Sequence, residues 1–173
     1  MDRTELKTLA KYNLWANERV YDAARSLPDD AYRLDRGAFF GSVHGTLNHI
    51  LVADRIWLRR ITGDGPIVTA LDAILYDTLD ELALARRAED GRILALADRL
   101  SAPALAGPLT YANTAGTPFT QRLSDVLMHL FNHQTHHRGQ VHALLTGFGR
   151  EVPTLDLIAF LRDRPGTTER KTS

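Results

Sequence analysis

QRLSDVLMHLFNHQTHHRGQVHALL, residues 121–145, is the stretch that decides the fold. Its apolar residues recur at the three- and four-residue spacing of an amphipathic α-helix, and Gly147-Phe148-Gly149 closes it as a glycine C-cap. Each residue of an α-helix advances about 100° around the axis. With Leu130 at zero, Leu123, Val126, Leu127, Gln134, Val141, Leu144, Leu145 and Phe148 fall within about 60° of it and define a core-facing stripe. On the same count His137 lies at about −20° and His133 at about −60°, so both point inward, one turn apart. His129 and Gln140 lie at the edge of the stripe, and His136 and His142 on its flanks.

Three other segments share this periodicity. The first runs over residues 4–26 and ends at Leu27-Pro28-Asp29-Asp30; the second starts at Ser42 as N-cap and stops at Thr62-Gly63-Asp64-Gly65-Pro66. The third covers 78–100, follows a short turn near 71–75, and ends at Ala102-Pro103. Residues 35–41 read as a long, partly buried loop, and a short helix follows Pro153. Four long amphipathic segments with no repeat or linker predict an all-α fold, a single four-helix bundle domain over residues 1–163. It carries a short extra C-terminal helix, and a small hairpin or irregular loop at 109–120 before the last long helix. Residues 164–173 offer nothing apolar to pack and read as a flexible C-terminal tail.

Composition removes several function classes. The 173 residues include 21 Lys+Arg and 21 Asp+Glu, a balance that disfavours nucleic-acid or membrane-surface partners, which need a concentrated positive field. With no cysteine, disulfides, zinc ribbons, iron–sulfur clusters and cysteine nucleophiles are excluded, and any thiol chemistry must use a diffusible thiol. The N-terminal Met1-Asp2-Arg3-Thr4-Glu5 is unlike a secretory signal, and no apolar run reaches the roughly 20 residues of a membrane span, so a cytoplasmic protein is expected.

The i,i+4 pair His133 and His137 places two imidazoles about 6 Å apart at Cβ, which suits chelation of one divalent ion. A third ligand must come from another segment. His49 is the best candidate, since His44 lies near its helix start, where the core is less closed. Three neutral imidazoles suit zinc, nickel, iron(II) or copper and leave positions for water or substrate. A buried histidine can equally be a hydrogen-bonded core residue, the reading kept for His44, His129, His136 and His142. The segment His133-Gln134-Thr135-His136-His137 has the histidine spacing of a zinc metalloprotease helix, but Gln134 stands where the general-base Glu is required, which argues against a peptidase. There is no glycine-rich phosphate loop, dinucleotide fingerprint or nucleophile elbow.

HLFNHQTHHRGQ at residues 129–140, together with YNLWAN at 12–17, LNHI at 47–50, Asp54 and Trp57, resembles the DinB-like family of the DinB/YfiT superfamily. The resemblance implies a four-helix bundle, often a homodimer, with one divalent metal ion held by His49, His133 and His137. Zinc or nickel leads, with iron or manganese as alternatives. Relatives in the wider superfamily use small thiols for transfer and isomerisation. The resemblance therefore implies a metal-dependent enzyme activating water or a small-molecule thiol, a thiol S-transferase acting on an electrophile or a hydrolase. The other reading is a non-catalytic metal-binding stress-response protein in which the ion is structural.

Near the ligands, Gln134 is a candidate for holding bound water or substrate. Asp54 reads either as an acceptor that orients a ligand imidazole or as a carboxylate that is solvated or paired with an arginine. Tyr12 and Trp15 read as pocket lining or as core aromatics. Gly139 costs about 1 kcal/mol relative to Ala in mid-helix, on the face opposite the core, and predicts close approach there by a dimer partner or by the C-terminal segment.

Overall fold

The computed structural model describes residues 1–164. Local signals start and stop each element. Helix α1, Arg3–Ala24, opens on a capping box: the Asp2 side chain accepts from the Glu5 N–H, and the Glu5 carboxylate accepts from the Asp2 N–H. Helix α2, Asp29–Arg33, is a five-residue turn that follows Pro28. Helix α3, Val43–Thr62, starts where the Ser42 hydroxyl accepts from the Gly45 N–H, and it ends on Gly63 at φ 76°. Helix α4, Leu79–Arg99, is capped by Thr78, and α5 is Ala102–Ala106.

The alternatives at 109–120 resolve to a hairpin. Strand β1, Pro108–Ala112, pairs antiparallel with β2, Pro118–Arg122, with Thr110 opposite Thr120. The chain passes directly into α6, Leu123–Gly147, and the short α7, Leu157–Arg162, follows. The described residues are mostly helical, with seven helices and two strands. None of these helices is long and apolar enough to cross a membrane. Beyond Arg164, the tail expected over 164–173 lies outside the described residues.

The four long helices pack pairwise, α1 against α4 and α6, and α3 against the same two. At one end Val20, Leu47, Leu51, Leu82, Val141 and Leu145 form an apolar cluster. At the other, Leu6, Leu58, Ile93, Leu127, Leu130 and Phe131 form a second. Between them, at mid-height on all four helices, lies a buried polar layer: Asn13 and Asn17, Asp54, Arg86 and Asp90, Gln134 and Arg138. Of the stripe read on α6, Leu144 and Phe148 are only half-buried, because they sit at its C-terminal edge.

Among the described residues, the C-terminal segment does not cover Gly139. The C-terminal segment runs beside α6 and α1, leaving a groove of about 900 Å³ floored in part by Met128, Phe131 and Gly139. Gly139 is exposed, and a Cβ there would meet nothing within 4 Å among the described residues.

Candidate metal centre

His49 on α3 and His133 and His137 on α6 meet at the seam between the two helices, at the height of the polar layer. Each offers one ring nitrogen, and these atoms lie within 4.8 Å of one another. Nε2 of His49 is 3.0 Å from Nε2 of His133. Ring centroids are 4.3 Å apart for His133 and His137 and 4.5 Å apart for His49 and His137.

Two hydrogen bonds decide how the imidazoles are protonated. Nδ1 of His49 is 2.7 Å from the carbonyl oxygen of Leu71, which can only accept, so the proton is on Nδ1 and the Nε2 lone pair faces the cluster. Nδ1 of His137 is likewise 2.7 Å from Oε1 of Gln140, whose amide Nε2 donates to Nε2 of His136 at 3.2 Å. With the amide oxygen on this side, Nδ1 of His137 carries the proton and its Nε2 lone pair is left for the cluster. Burial pulls the pKa of His49 down to about 4, with His137 adding to it and the Leu71 bond opposing it. Burial and the neighbouring histidines pull His133 down to about 3, and burial also lowers His137. Neutral imidazoles with converging lone pairs are the form that ligates a divalent ion, so these residues fit one.

Phe40 completes the wall. Its ring stacks on His49 at 3.6 Å between centroids and meets His137 edge-on at 5.5 Å. The loop before α3 holds it there through a turn in which the Gly41 N–H donates to Ala38 O, with Gly41 at φ 73°. Gly45 permits the approach, since a Cβ at that position would lie 2.1 Å from the Phe40 carbonyl oxygen.

The DinB family model matches residues 1–171. The chain belongs to the DinB family. It is 29% identical over 149 residues to Protein DinB of Bacillus subtilis (strain 168), an alignment that covers 82% of this chain and 84% of that relative. Its fold is also similar to the crystal structure of a DinB-like protein from Bacillus cereus ATCC 10987, with a TM-score of 0.62 at 22% identity, covering 80% of this chain and 89% of that one.

In this DinB-family protein the remaining candidate residues are engaged elsewhere. Asp54 is buried, 2.5 Å from Nη1 of Arg86, and also accepts from Nε2 of Gln134. Among the described residues no hydrogen bond joins its carboxylate to a ring nitrogen of the cluster; Nδ1 of His49 and Nδ1 of His137 are bonded to Leu71 and Gln140 instead. Gln134 is also withdrawn from the site: its Oε1 accepts from Nη1 of Arg138 at 3.0 Å and from Nδ2 of Asn17 at 3.3 Å. Its oxygen is thus filled by Arg138 and Asn17 and its amide nitrogen is turned to Asp54, so the side chain serves the polar layer. Burial pushes the Asp54 carboxyl up to about 7, against the lowering pull of Arg86.

Tyr12 and Trp15 face the C-terminal segment, away from the histidines. The Tyr12 hydroxyl donates to the Leu155 carbonyl at 2.6 Å, and both rings pack on Phe160. His44 lies 3.1 Å from the Tyr76 carbonyl, and His129 packs on Trp57. Leu71, Gln140 and Phe40 had no part in the sequence reading of the centre. The one signal for Phe40 was an aromatic residue followed closely by two glycines.

Proposed function

We propose that this DinB-family protein is a four-helix bundle that holds one divalent metal ion on His49, His133 and His137, zinc or nickel ahead of iron or manganese. We assign it metal-dependent chemistry on water or a small-molecule thiol, as a thiol S-transferase or hydrolase of the cytoplasm. The observation that carries this reading is the convergence of three neutral imidazoles, two of them held through Nδ1 by Leu71 and Gln140. A bound ion would supply Lewis acidity, lowering the pKa of a water or thiol toward neutrality. The chain's own part is to keep the imidazoles unprotonated, to orient them, and to shield one side with Phe40. Lacking cysteine, it takes the thiol as a cosubstrate. We also assign a homodimer contact to the Gly139 face.

A second reading is favoured by the position of the ligands, which tie α3 to α6 and, through Leu71, to the segment before α4. An ion there would staple these elements without turnover, in a stress-response protein whose partners provide function. Elemental analysis of tag-free protein beside His49→Ala and His137→Ala tests the ligand set: one ion per chain in the parent and loss in both variants is expected, and full retention by both overturns it. Metal-dependent turnover of an electrophile with any of several cellular thiols supports the enzyme, and its absence across them supports the staple.

A further inference from the structure

The cleft between the C-terminal half of α3 and the hairpin carries a charge that the chain as a whole lacks. It encloses about 470 Å³, and among the described residues two arginines, Arg59 and Arg60, line it with no Asp or Glu. The whole chain carries 21 residues of each sign. Among the described residues Arg60 has no carboxylate within ion-pair distance, whereas Arg25, Arg33, Arg86 and Arg122 each have one. Its guanidinium lies over the rings of Trp57 and Tyr111, 4.7 and 5.2 Å from their centroids. Ring contacts of this kind hold the plane of a guanidinium and leave its N–H edge open for a bidentate acceptor. Arg59 donates one Nη1–H to the Gly65 carbonyl, and the Thr110 and Thr114 side chains add polar lining beside the apolar walls of Ile56 and Val68.

The cleft adjoins the metal centre along two walls. His49, Ile56 and Arg60 fall on one face of α3, at i, i+7 and i+11, with Arg60 about 16 Å along the axis from His49. Rings bridge the gap: Tyr111 to Trp57 at 5.1 Å, Trp57 to His129 at 5.2 Å, and His129 to His133 at 5.8 Å. On the other side, Thr69 lines the cleft two residues before Leu71, which holds His49.

We propose that this cleft binds a small organic anion, a carboxylate or phosphate on an apolar body, with its head on Arg60 and its body along Ile56 and Tyr111 toward His133. The anion would thus be the far end of the molecule handled at the histidines, a clause that rests on the metal-centre reading; the binding itself does not.

The test is an NMR titration of the metal-free full chain with 4-phenylbutyrate, phenyl phosphate and the neutral 4-phenylbutanamide. At least one anion is expected to saturate in the millimolar range or below, shifting the resonances of Arg60, Thr69 and Tyr111. The amide should bind at least about tenfold more weakly. Arg60→Gln should weaken the anions by about tenfold or more and leave the amide unchanged. His49→Ala should leave anion binding within roughly twofold, so the cleft can stand where the metal centre fails. Equal binding of amide and anions to the parent protein overturns the proposal without any variant. So does anion binding unaffected by Arg60→Gln, or no saturation by about 10 mM.

Discussion

Nδ1 of His49 lies 2.7 Å from the carbonyl oxygen of Leu71, and that contact turns the unprotonated Nε2 of His49 toward His133. The triad is therefore built to stay neutral. With folded pKa values of about 4 for His49 and about 3 for His133 against an ordinary 6.5, the unfolded chain binds more protons than the folded one below about pH 6.5. Stability from these groups is fully present above about pH 6.5 and is lost as pH falls toward the folded values. Asp54, raised from 3.8 to about 7, acts in the opposite direction over the same range. Comparing metal-free parent with metal-free His133→Ala cancels Asp54. In urea unfolding from about pH 7.5 to about pH 4.5, the parent should lose stability relative to the variant. A difference that does not change with pH would show that the imidazoles are not held neutral.

Gln140 carries the second orienting contact, and its removal should be felt by the metal and not by the fold. Its side chain is half-buried and touches His137 and His136. Loss of such an outer acceptor costs about 10- to 100-fold in metal affinity. Gln140→Ala is expected to weaken zinc by that factor in a chelator-competition titration, with the metal-free melting temperature unchanged. Gln140→Glu, which restores an acceptor to Nδ1 of His137, should recover most of it. Undiminished affinity in the Ala variant would remove Gln140 from the centre.

The polar layer should behave as structure. Arg86 stands between two carboxylates, with Nη1 2.5 Å from Asp54 and Nη2 3.0 Å from Asp90, all three buried. Removing the cation leaves two uncompensated carboxylates, and breaking a buried pair from one side costs about 3–5 kcal/mol. Arg86→Met should lose about that much in urea unfolding. Asp54→Asn should keep its metal; a folded Asp54→Asn protein without metal would return Asp54 to the service of an imidazole.

These contacts mark where sequence reading stops. Helical phase placed Gln134 inside the stripe, and it is fully buried there. Phase assigns a side chain to a face but not to a neighbour, and two of the partners of Gln134, Asn17 and Asp54, are 117 and 80 residues away. His133 and His137 were legible because both ligands share one helix, so their spacing alone brings them together. His49 comes from another helix and needed the family motif. Tyr12 and Trp15 could not be placed because their partners, Leu155 and Phe160, belong to a short C-terminal segment whose docking leaves no periodicity. Helices α2 and α5, five residues each, are too short to show one.

Gly139 allows the proposed homodimer to be tested without disturbing the fold. In the middle of a 25-residue helix, glycine costs about 0.5–1 kcal/mol against alanine, and the described residues place nothing within 4 Å of its missing Cβ. A second copy packed helix to helix would need that space; a lone chain would not. Light scattering is therefore expected to give twice the chain mass for the parent. Gly139→Arg, whose side chain has open space in the single chain, should give one chain mass with unchanged helix content and metal. If the parent has the mass of one chain, the dimer reading falls, and Gly139→Ala should then stabilise the protein by about 0.5–1 kcal/mol, the full difference in helix propensity.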